Sequence, residues 1–187
     1  MRVCASLATW LMLGTIACVE PPYFAGSEAV MAQLRQHESE YVAVAKRVAA
    51  KPDAFLFVMR GSNSFGWNNA DIEQVAGGFK VATYTADVGT RVVHDLDSAA
   101  RLVGATGDEI ASWSEMAGRL HIYSVRHLGQ RVEICLQGSD KREYGLQYAL
   151  TRSAYEEMQQ MAAPGHAKGP SEVTQLFGPW FYFERAS

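Results

Sequence analysis

The sequence predicts an α+β fold: a single domain, mainly an antiparallel sheet, with a long N-terminal helix and two or three shorter helices packed on it. Three observations carry this. Val30, Leu34, His37, Tyr41, Val44 and Val48 recur at helical spacing and share one face. Residues 119–151 alternate apolar and polar over short connections, as antiparallel strands do. Thr106 followed by Glu109, and Ser153 followed by Glu156, are capping boxes that open two further helices.

Taken in order, the first helix starts at a Ser27 N-cap. Lys46, Arg47 and Lys51 sit near its end, where cations suit the helix dipole, and Pro52 stops it. Residues 54–59 are a continuous apolar run of strand length, read as buried on both faces. A polar loop follows, holding Arg60, Ser62, Asn63, Ser64, Trp67, Asn68 and Asn69. Asn69 is suited to cap a short helix to Ala76, closed by Gly77-Gly78. Residues 79–85 and 91–94 read as two strands joined through Gly89. A helical turn begins at Asp97 or Ser98, and the helix opened by Thr106 carries Ile110, Trp113, Met116 and Ala117 to Gly118. Three strands then cover 119–128, 132–137 and 144–151, turning at Gly129-Gln130 and at residues 138–141. A helix through Met158 and Met161 ends at Pro164-Gly165, residues 163–172 form a loop, and Trp180-Phe181-Tyr182-Phe183 make a last strand.

Composition narrows the function classes. The chain has 187 residues, and its 48% hydrophobic content excludes a disordered chain. A formal net charge of −3, with Lys and Arg scattered, argues against nucleic acid as a partner, which wants a concentrated basic patch. No cofactor motif is present; Gly77-Gly78 lacks the spacing of a phosphate loop.

The N-terminus predicts export. After Arg2, no charged residue occurs until Glu20, and Leu7, Trp10, Leu11, Met12, Leu13 and Ile16 form a compact apolar stretch. Pro21 and Pro22 end it, since proline cannot continue a helix. The run is shorter than the ~20 residues that span a bilayer. Gly14-Thr15-Ile16-Ala17-Cys18 resembles the cleavage box of bacterial lipoproteins, with Ala17 at the small position and Thr15 where leucine is commoner. This resemblance implies a lipidated Cys18 as the mature N-terminus. The expected organisation is a signal peptide over 1–17, a linker over 18–26 and one domain over 27–187. The partners are then the membrane, reached through lipidated Cys18 or an uncleaved N-terminal segment, and an envelope protein. The location would be the cell envelope or outside the cell. Cys4 leaves with the signal, and Cys135 is expected to be a core thiol, or half of a disulfide where Cys18 carries no lipid.

Candidate sites follow from residue chemistry. Arg60, Ser62, Asn63, Ser64 and Asn68 offer hydrogen bonds to a polar ligand beside an aromatic platform, Trp67. His94, Asp95 and Asp97 are the densest polar group and have the chemistry to hold a divalent cation in a loop, but a strand end followed by a helix cap accounts for them, so no metal is expected. His121 and His127 on one strand face would stand roughly 20 Å apart, too far to share a metal. These features favour a tethered binding domain. The alternatives are a small secreted or envelope hydrolase using Ser62, Ser64, His94, Asp95 or His121, and an inhibitor or immunity-type protein acting on an envelope enzyme.

Overall fold

The computed structural model describes residues 26–61, 63–84, 89–138, 142–164 and 171–186. The predicted signal peptide, Cys18, most of the linker and Ser62 lie outside the described residues.

The chain is a mixed α+β domain built on one ten-stranded antiparallel sheet with five helices. The helices are α1 (Ser27–Gln36), α2 (Glu38–Ala49), α3 (Leu96–Leu102), α4 (Gly107–Arg119) and α5 (Arg152–Ala162). The strands are β1 (Leu56–Met59), β2 (Ser64–Trp67), β3 (Ala70–Val75), β4 (Gly78–Thr83), β5 (Thr90–Val93), β6 (Ser124–Leu128), β7 (Arg131–Gly138), β8 (Arg142–Ala149), β9 (Ser171–Phe177) and β10 (Trp180–Ala186). Their order across the sheet is β5-β4-β3-β2-β1-β6-β7-β8-β10-β9. Neighbours in sequence are thus mostly neighbours in space, as short hairpins require.

The N-terminal helix is not one long helix. It divides at His37, whose φ of −126° leaves the helical region. His37 ends α1 through its N–H, and its carbonyl accepts from Glu40 and Tyr41 to start α2. Its ring bonds the Glu40 carboxylate at 2.9 Å. The break lets the two halves meet different parts of a twisted sheet: α1 lies against β9 and β10, α2 against β6 and β7. Apart from His37, every member of the predicted stripe is fully buried.

Other corrections concern turns. The polar loop and the Asn69-capped helix are instead strands β2 and β3, joined by a two-residue hairpin at Asn68-Asn69. Asn68 adopts φ +50°, which asparagine tolerates in such turns. The strand expected from Arg119 begins only at Ser124, because α4 runs through Arg119 and His121 turns the chain at φ +55°. The helix near 97 starts one residue earlier, since Asp95 caps it. Thr106 caps α4 as expected, but α5 is capped by Thr151 rather than Ser153. Strand β9 occupies part of what reads as a loop, and it is the edge partner of β10.

Alternate residues divide the sheet into two faces. The inner face packs on α1 to α4. Its core has one aromatic group around Trp113, stacked on Phe57 with centroids 5.8 Å apart, and another around Trp180, edge-on to Tyr148 at 4.6 Å. The Arg47 guanidinium lies 4.5 Å over the Trp113 ring. Tyr41 reaches between helix and sheet and donates to the Leu120 carbonyl at 2.8 Å. The outer face carries only α5 among the described helices. Ala154 and Met158 of α5 pack there on Ala149, Val173 and Phe181, at the β8–β10 end. From β5 to β6, no described helix covers it.

Candidate functional site

The register builds a charged chain on the outer face. The tight turn between β6 and β7 pairs Leu128 with Arg131, and so sets Arg126 opposite Glu133. Glu133 in turn faces Gln147 on β8, and Glu143 faces Arg185 on β10. Arg126 donates through Nε to Glu133 Oε1 at 2.9 Å and adds a second bond from Nη2. The other oxygen of Glu133 accepts from Arg185 Nη1 at 2.9 Å and from Gln147 at 3.1 Å. Arg185 also donates through Nε to Glu143 Oε2 at 2.5 Å. The result is a chain of alternating charge, Arg126–Glu133–Arg185–Glu143, running over four strands.

Glu133 is 2% exposed. A carboxylate so deep is tolerable only because two guanidiniums and an amide satisfy it. Burial disfavours the charged Arg185 guanidinium, but Glu133 and Glu143 outweigh that, and its pKa lies above the usual arginine value. At Gly145 a Cβ would stand 2.1 Å from the Ile134 carbonyl oxygen and 2.8 Å from the Phe183 ring. Only glycine fits there.

The two ends of this charged chain, Arg126 and Glu143, line one open depression of about 310 Å³ with Leu56, Val58, Arg60, Tyr123 and Ser124. Leu56 and Val58 give it an apolar patch. Arg60 stands at the side toward β2, where its Nη1 donates to Asp71 Oδ2 at 3.2 Å. Tyr84 donates to the same Asp71 oxygen, and this bond, ahead of burial, raises the Tyr84 pKa. Asp71 Oδ1 is buried and has no hydrogen-bond partner among the described residues. The exposed large apolar side chains gather on the same side. Tyr84, Val92 and Leu128 project from the outer face by strand alternation, and Tyr123 lines the depression.

The residues predicted as sites are dispersed. Arg60 belongs to the depression. Trp67 does not serve as a platform: it is 3% exposed and packs on Phe55 and Phe57 in the core. Asn68 Oδ1 accepts from the Leu56 N–H at 3.0 Å and closes the hairpin, and the Asn63 carbonyl accepts from Gln74. Ser64 begins β2 opposite Glu73. Ser64 and the Val92 position near His94 lie three strands apart in one row, roughly 14 Å, so the two do not form a nucleophile–base pair.

The His94, Asp95 and Asp97 cluster is taken up in capping. Asp95 accepts from the Ser98 N–H at 2.7 Å and from its hydroxyl at 3.0 Å. The Ser98 N–H first, then the hydroxyl, holds the Asp95 pKa below the usual carboxylate value. Asp97 accepts from the Gly107 N–H at 3.2 Å and ties α3 to the start of α4. Among the described residues no group of three His, Cys, Asp or Glu side chains is placed to hold a metal. His127 bonds the Lys51 and Gly129 carbonyls at 2.8 and 3.0 Å, fastening the entry to β1. Cys135 is buried in β7.

Sequence reasoning passed over Arg126, Glu133, Glu143 and Arg185. One signal was available: the Gly129-Gln130 turn fixes the register that sets Arg126 against Glu133. No described helix is long and apolar enough to cross a membrane. No protein-family model, curated protein or solved structure matches the chain.

Proposed function

We propose that this chain is a binding domain of the cell envelope, tethered to a membrane by its N-terminus, and that it engages its partner through the outer face of its sheet. One observation carries the reading. The outer face between β5 and β6 bears the depression and the exposed large apolar side chains, while the inner face is filled by helices. An apolar group left in water beside fixed charges is the usual composition of an interaction surface. The export-like N-terminus and the resemblance of residues 14–18 to a lipoprotein box support the location.

Two measurements test this. The mass of the mature protein should equal residues 18–187 plus lipid, and the protein should fractionate with membranes. A full-length, unmodified, soluble product would overturn the tether. A photo-crosslinking residue at position 123 should join the protein to a partner in intact cells, and one at Glu156, on α5, should not. Equal labelling from both positions would overturn the assignment of the face.

A further inference from the structure

We infer that the depression on the outer face recognises a short peptide with both ends free, its carboxylate held by Arg126 and its terminal ammonium by Glu143. The inference rests on the outer face being the binding surface, and it names the chemistry of the ligand.

The argument begins with what the charged chain leaves unused. Arg126 spends Nε and Nη2 on Glu133, and Glu143 spends Oε2 on Arg185. Among the described residues, Arg126 Nη1 and Glu143 Oε1 make no hydrogen bond. Both residues line the same depression. A donor edge of fixed positive charge and an acceptor of fixed negative charge therefore stand at separate places in one recess. Each is held by a partner that is mostly buried, Glu133 or Arg185. Such groups lose little conformational freedom when a ligand arrives, which is what makes a charged contact useful in binding.

A ligand of a single charge would meet one complementary and one opposing group. A zwitterion meets both favourably. The separation selects its length. The heads of Arg126 and Glu143 are linked through the Glu133 carboxylate and the Arg185 guanidinium, which sets them about 10 Å apart. An extended chain spans ~3.3–3.6 Å per residue, so a tripeptide matches that distance and a single amino acid does not. Leu56 on β1 stands opposite Arg126, with Val58 two residues further along, while the Arg60 head is turned the other way, to Asp71 on β3. The carboxylate end thus falls at Arg126, with an aliphatic C-terminal side chain on Leu56 and Val58. The recess, about 310 Å³, is at the small end of ligand sites.

Calorimetry on the mature protein in detergent tests this with three probes: Ala-Ala-Leu with free ends, its N-acetyl form and its C-terminal amide. The free-ended peptide should bind, and blocking either end should weaken binding about tenfold or more, as losing a charged hydrogen bond does. Glu143→Gln should reduce the affinity for the free-ended peptide to that for the N-acetyl form and leave the latter unchanged. Arg126→Gln should weaken the free-ended and N-acetyl peptides and leave the amide unchanged. Equal binding of all three probes to the unsubstituted protein would overturn the inference, as would no binding at millimolar peptide. This comparison decides even where Glu143→Gln fails to fold. Crosslinking from position 123 without peptide affinity would overturn this inference alone and leave the binding face standing.

Discussion

The two faces of the sheet use the same strands in opposite ways. On the inner face, β1 buries Phe57 against Phe65, Trp67 and Trp113. On the outer face, the next residues along β1, Leu56 and Val58, border an open depression. Strand β7 shows the same contrast: Val132, Ile134 and Leu136 enter the inner core, while Glu133 is the centre of an ion-pair chain. The inner face is held by dispersion and area, which no single contact dominates. Away from α5, the outer face is held by a few charges whose loss leaves others unpaired. The first arrangement makes stability; the second fixes the orientation of groups that reach solvent.

The largest effect that would sharpen this contrast lies on the inner face. Trp113→Ala should cost about 3–5 kcal/mol in a urea melt, because it removes the ring on which Phe55, Phe57 and Arg47 pack. A cost under 1 kcal/mol would mean that the inner face is not the main source of stability. On the outer face, Glu133→Gln should cost about 2–3 kcal/mol, less than a fully buried pair because Arg126 and Arg185 are partly exposed. The loss should persist at high salt, since Glu133 itself is shielded from the solvent ions. A loss that salt abolishes would place this chain among ordinary surface pairs.

Much of the inner face was legible in the sequence and little of the outer one. Helical spacing alone placed Val30, Leu34, Tyr41, Val44 and Val48 in the core, because periodicity is a property of a single segment. The break at His37 was not legible, since it answers to the twist of strands far away in sequence. Strands β2 and β3 were missed because Asn68 and Asn69 read equally as a loop, a cap or a hairpin turn. The pattern of Phe65, Trp67, Ala70 and Ile72 on one side decides among these only when a sheet is there to receive it. Of the candidate site, Arg60 was visible as a loop arginine. Glu143 and Arg185, by contrast, are 42 positions apart and meet only through the β8–β10 register. Trp67 was misplaced for the same reason: exposure is a tertiary property.

A pH titration separates two groups of the helical layer that covers the inner face. Burial pushes the Tyr41 hydroxyl up from its ordinary value of 10 to about 12. Its contribution is fully present below pH 10 and is lost as pH rises toward 12, a loss of about 2–3 kcal/mol by linkage. Tyr41→Phe should remove that alkaline loss in melts between pH 10 and 12. Asp95 runs the other way. Its lowered pKa stabilises above the usual carboxylate range, and the contribution disappears as pH falls through the lowered value. A smaller effect of the same capping kind is expected at Thr106, whose hydroxyl accepts from the Glu109 N–H at 3.1 Å. Thr106→Ala should cost about 1 kcal/mol.

The smallest stability effect belongs to an arginine at the edge of the depression. The Arg60 side chain is 49% exposed, and its ion pair with Asp71 is of the surface type. Arg60→Ala should therefore shift stability by less than about 1 kcal/mol, within the range of exposed pairs. Asp71 keeps its bond from Tyr84, so the substitution leaves no newly buried charge without a partner. Crosslinking from position 123 should nevertheless fall in this variant. A residue that matters to partner capture and hardly at all to the urea midpoint is what distinguishes a surface arranged for binding from one arranged for stability. Arg60→Ala that melts several degrees lower, with crosslinking unchanged, would assign this arginine to the fold and erase the difference drawn between the two faces at β1.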